Sequence, residues 1–415
     1  MREIPESADR PNDNPRMAIP TRQEISVQPR RDINVSTTVM AHPRRRIQAE
    51  QLRRQHPELE IEIALDPDPG GKAATLRTAK LAWSRVREGA THHLVLQEDV
   101  LLCRDFANGM AQALRVAPAG AISFHANWAM STSQAIRLAL FAGASWTPVV
   151  DRWIPTQALV LPAPLALEFA GYADRYPETK PDNVAMAEFL AAHGLTAYVS
   201  IPNLVEHGST ESLLFNDLIY GIRDSTVFAG SEELGAEPFT GIVAAPPGVA
   251  HLGLGDFGAI GHYEPLGAAA TGSWGMESHE LLIACGMSPP EQAESFSSDV
   301  FHHPEATGTG FSESLLFHLW ITMFVQGVIA RGMLEPTSPD AFDAILDSSR
   351  WARPALETFA ASALRRTCPR ERLRETAQQL TPLCVTAMRS GFVAIKRWPG
   401  LHTVWTPDDH ALERD

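Results

Sequence analysis

The residues best placed to do chemistry are Glu98 and Asp99. A run that only burial can satisfy, His92-His93-Leu94-Val95-Leu96, stops at Gln97 and delivers two adjacent carboxylates. A strand buried on both faces reads as a continuous apolar run, and in an open α/β sheet ligands collect at the carboxyl ends of such strands. Burying a carboxylate is costly unless a cation accompanies it, and a hard divalent ion bridging to substrate phosphates meets that need. A strand leaving its sheet through a solvated acidic turn would carry the same letters, so the neighbouring elements have to decide.

Those elements alternate in type. Residues 35–40 are a β-branched run, and 44–55 form a charged helix that closes before Pro57. Residues 59–65 alternate as a strand and stop at Asp66-Pro67-Asp68-Pro69-Gly70-Gly71, a string of turn formers. Residues 72–86 place Leu76, Ala79, Trp83 and Val86 on one helical face, and the run ending at Gln97 follows. Strand, helix, strand, helix, strand is the pattern of βαβ units and a parallel sheet. Right-handed crossovers then bring His42, Asp66 and Asp99 to one edge of that sheet. Residues 121–125, 157–161 and 196–201 read as further strands. Residues 182–192 read as a helix with Asp182 at its N-cap after Pro181.

Composition bounds the function. The 415 residues carry 35 Lys and Arg against 49 Asp and Glu, a net charge of −14, which argues against a general nucleic-acid or anionic-membrane surface. An anionic ligand must then be held locally or through a metal. Cys103, Cys285, Cys368 and Cys384 are scattered, with no metal-binding or disulfide spacing, which fits a reducing cytoplasm. Residues 1–32 are polar and Pro-rich without an apolar h-region, and are expected to form a disordered arm. The apolar stretch at 315–325 is shorter than the roughly 18 to 20 residues of a bilayer span and is expected to be a buried core helix.

With the elements in order, residues 33–228 resemble the nucleotide-sugar-dependent glycosyltransferases of the GT-A fold, particularly lipopolysaccharide-type families. Their central strand ends in a D-x-D or E-D-D motif that holds Mn²⁺ or Mg²⁺ against the donor pyrophosphate. The matching positions are Gln97, Glu98 and Asp99, which depart from an all-acidic triplet at Gln97. The same families carry an acidic residue opening a helix, then a strand and a P-S-L-V-x-H type segment whose histidine completes the metal site. Here Lys180-Pro181-Asp182-Asn183-Val184 is followed by Ile201-Pro202-Asn203-Leu204-Val205-Glu206-His207.

The resemblance implies an α/β GT-A fold with a C-terminal mainly helical domain. It also implies Asp99 and His207 as metal ligands, Gln97 and Glu98 beside the donor, and Asp182 as the general base of an inverting transfer. It places Asp66 and His42 near the donor nucleoside, a uridine one by the same analogy. Arg77 could reach a phosphate or pair with Asp66. Each residue has a plainer alternative: an N-cap for Asp182, acidic or proline-adjacent turns for Asp66 and His42, and a solvated helix face for Arg77. Trp128, Trp146, Trp153 and Trp274 are available to stack on an acceptor or to fill the core. His92 and His93 are expected to be structural, and His302-His303 lies outside the constellation.

The Gly- and Pro-rich passage within 229–275 reads as a connection, 276–400 as a helical accessory domain serving the acceptor side or a homodimer, and 401–415 as a tail. The expected partners are a nucleoside diphosphate sugar and a small-molecule, peptide or glycan acceptor. A non-catalytic nucleotide-sugar-binding or interaction protein that keeps the fold is the alternative.

Overall fold

The computed structural model describes residues 22–24, 33–208, 220–235, 238–255, 258–266, 275–334 and 338–394. The chain enters with β1 (Arg22–Glu24), β2 (Val35–Ala41), α1 (Arg46–Gln55), β3 (Glu62–Leu65), α2 (Thr75–Trp83), β4 (His92–Gln97), β5 (Val100–Leu102) and α3 (Phe106–Val116). It continues with β6 (Ala121–Ser123), α4 (Ser131–Phe141), β7 (Trp146–Pro148), β8 (Ala158–Pro162), α5 (Ala163–Tyr172), α6 (Asp182–Ala192), β9 (Ala197–Ser200) and β10 (Val205–His207). Next come β11 (Ile242–Ala244), β12 (Gly248–Gly255), β13 (Gly258–Pro265) and β14 (Met276–Glu277), and from Ser278 onward the described chain is helical.

Nine strands form one mixed sheet in the order β1-β11-β7-β9-β6-β8-β4-β2-β3. β2, β3 and β4 are parallel, as the alternation of elements requires, while β8 runs antiparallel between β4 and β6. Alternation along each strand explains the layers. Val39, Leu94, Leu96, Ala158 and Val160 face α1 and α3, whereas Met40, Val95, Leu159 and Leu161 face α2, α5 and α6. With both faces covered, β4 has no solvent side, which is why its sequence does not alternate.

Several boundaries differ from the sequence reading. Pro57–Leu59 is a 3-10 turn and Glu60 has φ 48°, so the strand expected over 59–65 begins only at Glu62. Arg22–Glu24, expected in the disordered arm, pairs antiparallel with β11; the rest of 1–32 lies outside the described residues, as do 401–415. The passage taken as a connection contributes β11 to the main sheet and a β12–β13 hairpin. Its glycines are packing positions. A Cβ on Gly248 would collide with the Tyr263 ring, and one on Gly261 would meet the Thr322 hydroxyl at 2.7 Å. Glycine inside a strand marks close approach as readily as it marks a linker.

The helical region shares a core with part of the α/β region. α4 is buried from Thr132 to Phe141, and its apolar side chains share one core with the hairpin and the helices Glu313–Met333, Ala352–Leu364 and Arg370–Ala394. The fully buried Arg137 of α4 donates to the Ala355 carbonyl at 2.8 Å and the Thr358 hydroxyl at 2.9 Å, tying α4 to the helix Ala352–Leu364. Helix Glu313–Met333 is long and apolar enough to cross a membrane by length and composition, but 72% of its most apolar window is buried inside this core. A helix apolar all round requires such burial.

Candidate functional site

The carboxyl ends of β2, β3 and β4 carry the residues singled out above. Glu98 and Asp99 link β4 to β5, and β5 pairs antiparallel with β10 so that His207 lies opposite Val100. The Gly208 N–H donates to the Asp99 carbonyl at 2.6 Å, closing the end of this ribbon. Two segments about a hundred residues apart in sequence therefore meet, and His207 Nε2 stands 3.6 Å from Asp99 Oδ2.

Arg45 joins them, a residue the sequence reading did not name. It ends the 3-10 turn Pro43–Arg45 that follows β2, the strand beside β4. Its Nη1 lies 2.9 Å from Asp99 Oδ2 and 3.4 Å from Glu98 Oε1, with its side chain 6% exposed and the two carboxylates 11% and 14% exposed. Arg44 and Arg46 point to solvent. Three consecutive arginines after a strand were the available signal, but their letters do not say which one turns inward. Burial, and secondarily the Asp99 charge, hold the Glu98 carboxyl well above the usual carboxylate range. Asp99 Oδ1 is buried and accepts no hydrogen bond among the described residues.

A second cluster lies at the end of β3. The Arg77 guanidinium grips Asp66 with both arms, Nε to Oδ1 at 2.7 Å and Nη2 to Oδ2 at 2.9 Å, and also reaches the Asp68 carbonyl at 2.7 Å and Glu178 at 3.2 Å. Of the two roles open to Arg77, the structure displays the pairing with Asp66. Those hydrogen bonds, against an opposing effect of burial, hold the Asp66 carboxyl below its usual range. His42 Nδ1 accepts the Arg44 N–H at 3.2 Å and caps the 3-10 turn, which is the turn role weighed for it.

Asp182 is the first residue of α6 and Pro181 is its N-cap, so the expected capping role is not the one it plays. Its backbone N–H donates to Thr75 Oγ1 at 3.2 Å and the residue is 7% exposed. Among the described residues no hydrogen bond or ion pair engages its carboxylate. Gln97 donates from Nε2 to Thr156 at 3.4 Å, and the same loop meets α6 where the Ile154 N–H donates to the Asn183 carbonyl. The tip of β4 and the start of α6 are thus bridged by one short segment.

Two further groups, one buried and one half-buried, escaped the sequence reading. His125, fully buried, places Nδ1 3.2 Å from the Val205 carbonyl, which can only accept, so Nδ1 carries the proton. Its Nε2 has no partner among the described residues, and burial, then the neighbouring His207, push its pKa down to about 3. Glu206 accepts from the His207 and Ser225 backbone N–H groups at 2.7 and 2.6 Å and from the Ser225 hydroxyl at 2.8 Å. Burial, then Asp224, still push it up to about 7. Both look like ordinary strand-flanking residues until the fold is known.

The remaining expectations divide cleanly. Trp128 and Trp146 are buried and donate to the Ile222 and Thr240 carbonyls, Trp153 is 38% exposed, and Trp274 lies outside the described residues. His93 is structural, bonded to Ser36 and the Ala82 carbonyl. Among the described residues no group of three His, Cys, Asp or Glu side chains is placed to hold a metal ion. The sequence matches no family model and no curated protein.

Proposed function

We propose that this protein is a GT-A type glycosyltransferase that moves a sugar, with inversion, from a nucleoside diphosphate donor to an acceptor hydroxyl of a small molecule, peptide or glycan. A uridine diphosphate sugar is the first donor to test. The observation that carries the reading is the convergence of Glu98, Asp99 and His207 at the carboxyl edge of β4, with the start of α6, where Asp182 sits, tied to the same edge through the 154–156 segment. Ligand sites of open α/β sheets gather at such edges.

The donor set fits a hard divalent ion in type. Asp99 and His207 place an oxygen and a nitrogen on neighbouring side chains, and among the described residues nothing donates to the buried Asp99 Oδ1. Two protein ligands suffice for an ion completed by phosphates and water. When bound there, Mn²⁺ or Mg²⁺ would neutralise charge gathering on the departing diphosphate. The chain's own residues do the rest. Asp182 takes the proton from the acceptor hydroxyl as that oxygen bonds to the anomeric carbon and the bond to the diphosphate oxygen breaks. Arg77 holds Asp66 and the loop after β3 in place for the nucleoside, and Glu98 and Arg45 support Asp99.

Calorimetric titration with uridine diphosphate, with and without Mn²⁺, tests the donor; no binding under either condition overturns it. The second reading, a nucleotide-sugar-binding protein without catalysis, is favoured by the guanidinium already held between Glu98 and Asp99. Turnover of the native chain against Asp182→Asn separates the two. A general base contributes about 10²- to 10⁴-fold, so equal turnover would remove Asp182 from that role.

A further inference from the structure

We propose that the β12–β13 hairpin is latched to the helix Glu313–Met333 by a neutral histidine, His318, and that acid opens the latch. The backbone N–H of Gly261, in β13, donates to His318 Nδ1 at 3.3 Å. A ring nitrogen that accepts carries no proton, so the His318 imidazole is neutral with its proton on Nε2. An imidazolium is protonated on both nitrogens and accepts nothing. Protonating His318 therefore removes the acceptor and sets one N–H against another. This latch is independent of the reading of the donor edge.

The strand is seated tightly at this point. A Cβ on Gly261 would meet the Thr322 hydroxyl at 2.7 Å, Ile321 Cγ2 at 3.1 Å and Ser278 Oγ at 3.2 Å, which leaves little room for water to replace a lost acceptor. β12 is held to the same helix by Gln326, whose Nε2 donates to the Ala250 carbonyl at 2.7 Å. An amide does not titrate, so of these two holds only the one from His318 answers to pH. The titratable groups facing His318 are His262 on β13, and Glu277 and His279 where the helix Ser278–Ala284 begins. Only Glu277 favours a charge on His318, and its carboxylate already stands 3.1 Å from His279 Nδ1. Burial, outweighing Glu277, holds His318 below the ordinary imidazole range. The hairpin carries a second ring of this kind. His251 faces His262 at 5.9 Å between centroids, with Glu264 as the neighbouring anion, and its buried Nδ1 has no partner among the described residues. Burial holds His251 low as well. A group whose pKa is lowered in the docked form takes up its proton more readily once the hairpin opens, so docking weakens as pH falls below the ordinary imidazole value.

The test is amide hydrogen exchange of the full chain, read by mass spectrometry on peptides spanning β13 and β4 at about pH 7.5 and about pH 5.5, and corrected for the intrinsic pH dependence of exchange. An open form whose imidazole titrates at about 6.5 gains about tenfold in population over that interval. Protection of β13 should therefore fall by about tenfold more than that of β4, which reports the global change. His318→Asn puts a non-titrating acceptor oxygen where Nδ1 stood. It should keep the protection seen at the higher pH and lose the tenfold acid response. Native β13 protection that falls no more than that of β4 overturns the latch without any variant. A full acid response retained in His318→Asn overturns the assignment to His318.

Discussion

Replacing Gly208 with alanine asks whether the β5–β10 ribbon sets the spacing between Asp99 and His207. A Cβ at Gly208 would stand 2.5 Å from the Asp99 carbonyl oxygen and 3.4 Å from its carbon, and Cβ atoms essentially never approach a neighbour below 3.0 Å. Both partners are backbone, so no rotamer can yield and the two segments must part by half an ångström or more. Overpacking of this kind costs about 1–3 kcal/mol, and weakening the 2.6 Å hydrogen bond from Gly208 to Asp99 adds about 1 kcal/mol. A loss of ~2–4 kcal/mol is expected, seen as a lower urea midpoint with an unchanged slope. His207 precedes Gly208, so the same displacement moves its ring relative to Asp99. If Asp99 and His207 hold the proposed ion, whose ligands tolerate only about ±0.2 Å, Mn²⁺ affinity should fall by roughly 10- to 100-fold. Stability unchanged within about 0.5 kcal/mol would refute the contact, since substitutions away from special features cost no more than that. Lost stability with intact Mn²⁺ affinity would refute the claim that this contact spaces the ligands.

Other perturbations follow from the same geometry. Glu206 is held protonated up to about 7, so between its unfolded pKa and 7 the folded state binds more protons than the unfolded one. Stability should therefore fall as pH rises through that window, and urea denaturation of Glu206→Gln at several pH values should show the slope reduced. Asp66 has the opposite sign: its folded pKa is lowered, so its contribution is present above the unfolded pKa and lost as pH falls through the folded one. Asp66→Asn should flatten the acid limb of the stability profile, and an unaltered limb would count against the Arg77 pair. Gly327 and Gly391 let the helices Glu313–Met333 and Arg370–Ala394 cross in backbone contact, with a Cβ on Gly327 placed 2.8 Å from the Met388 carbonyl carbon. Gly327→Ala should cost about 3 kcal/mol or more, at the upper end for overpacking, with a matching fall in Tm.

Much of the α/β half was legible in the sequence, and the reason lies in periodicity. The unbroken run His92 to Leu96 has no solvent-facing alternate, so it had to be a strand covered on both faces, and α2, α5 and α6 on one side and α1 and α3 on the other do cover it. The order of elements then placed Asp66 and Glu98-Asp99 at one edge, and Asp66 and Arg77 stood close enough in sequence for their pairing to be weighed in advance. Periodicity reports that a residue is buried but not what it is buried against. That is why the glycines of 248–261 read as a linker and not as the close contacts of a hairpin, and why the C-terminal helices read as a separate domain although they share a core with α4. The same limit applies at the site. Which of three consecutive arginines turns inward, that β8 intrudes antiparallel beside β4, that His125 lies behind His207, and that Asp182 begins α6 without capping it were decided by contacts between segments tens of residues apart. From the letters alone, Glu98 and Asp99 needed a cation; only tertiary packing decided that the chain carries one itself, in Arg45.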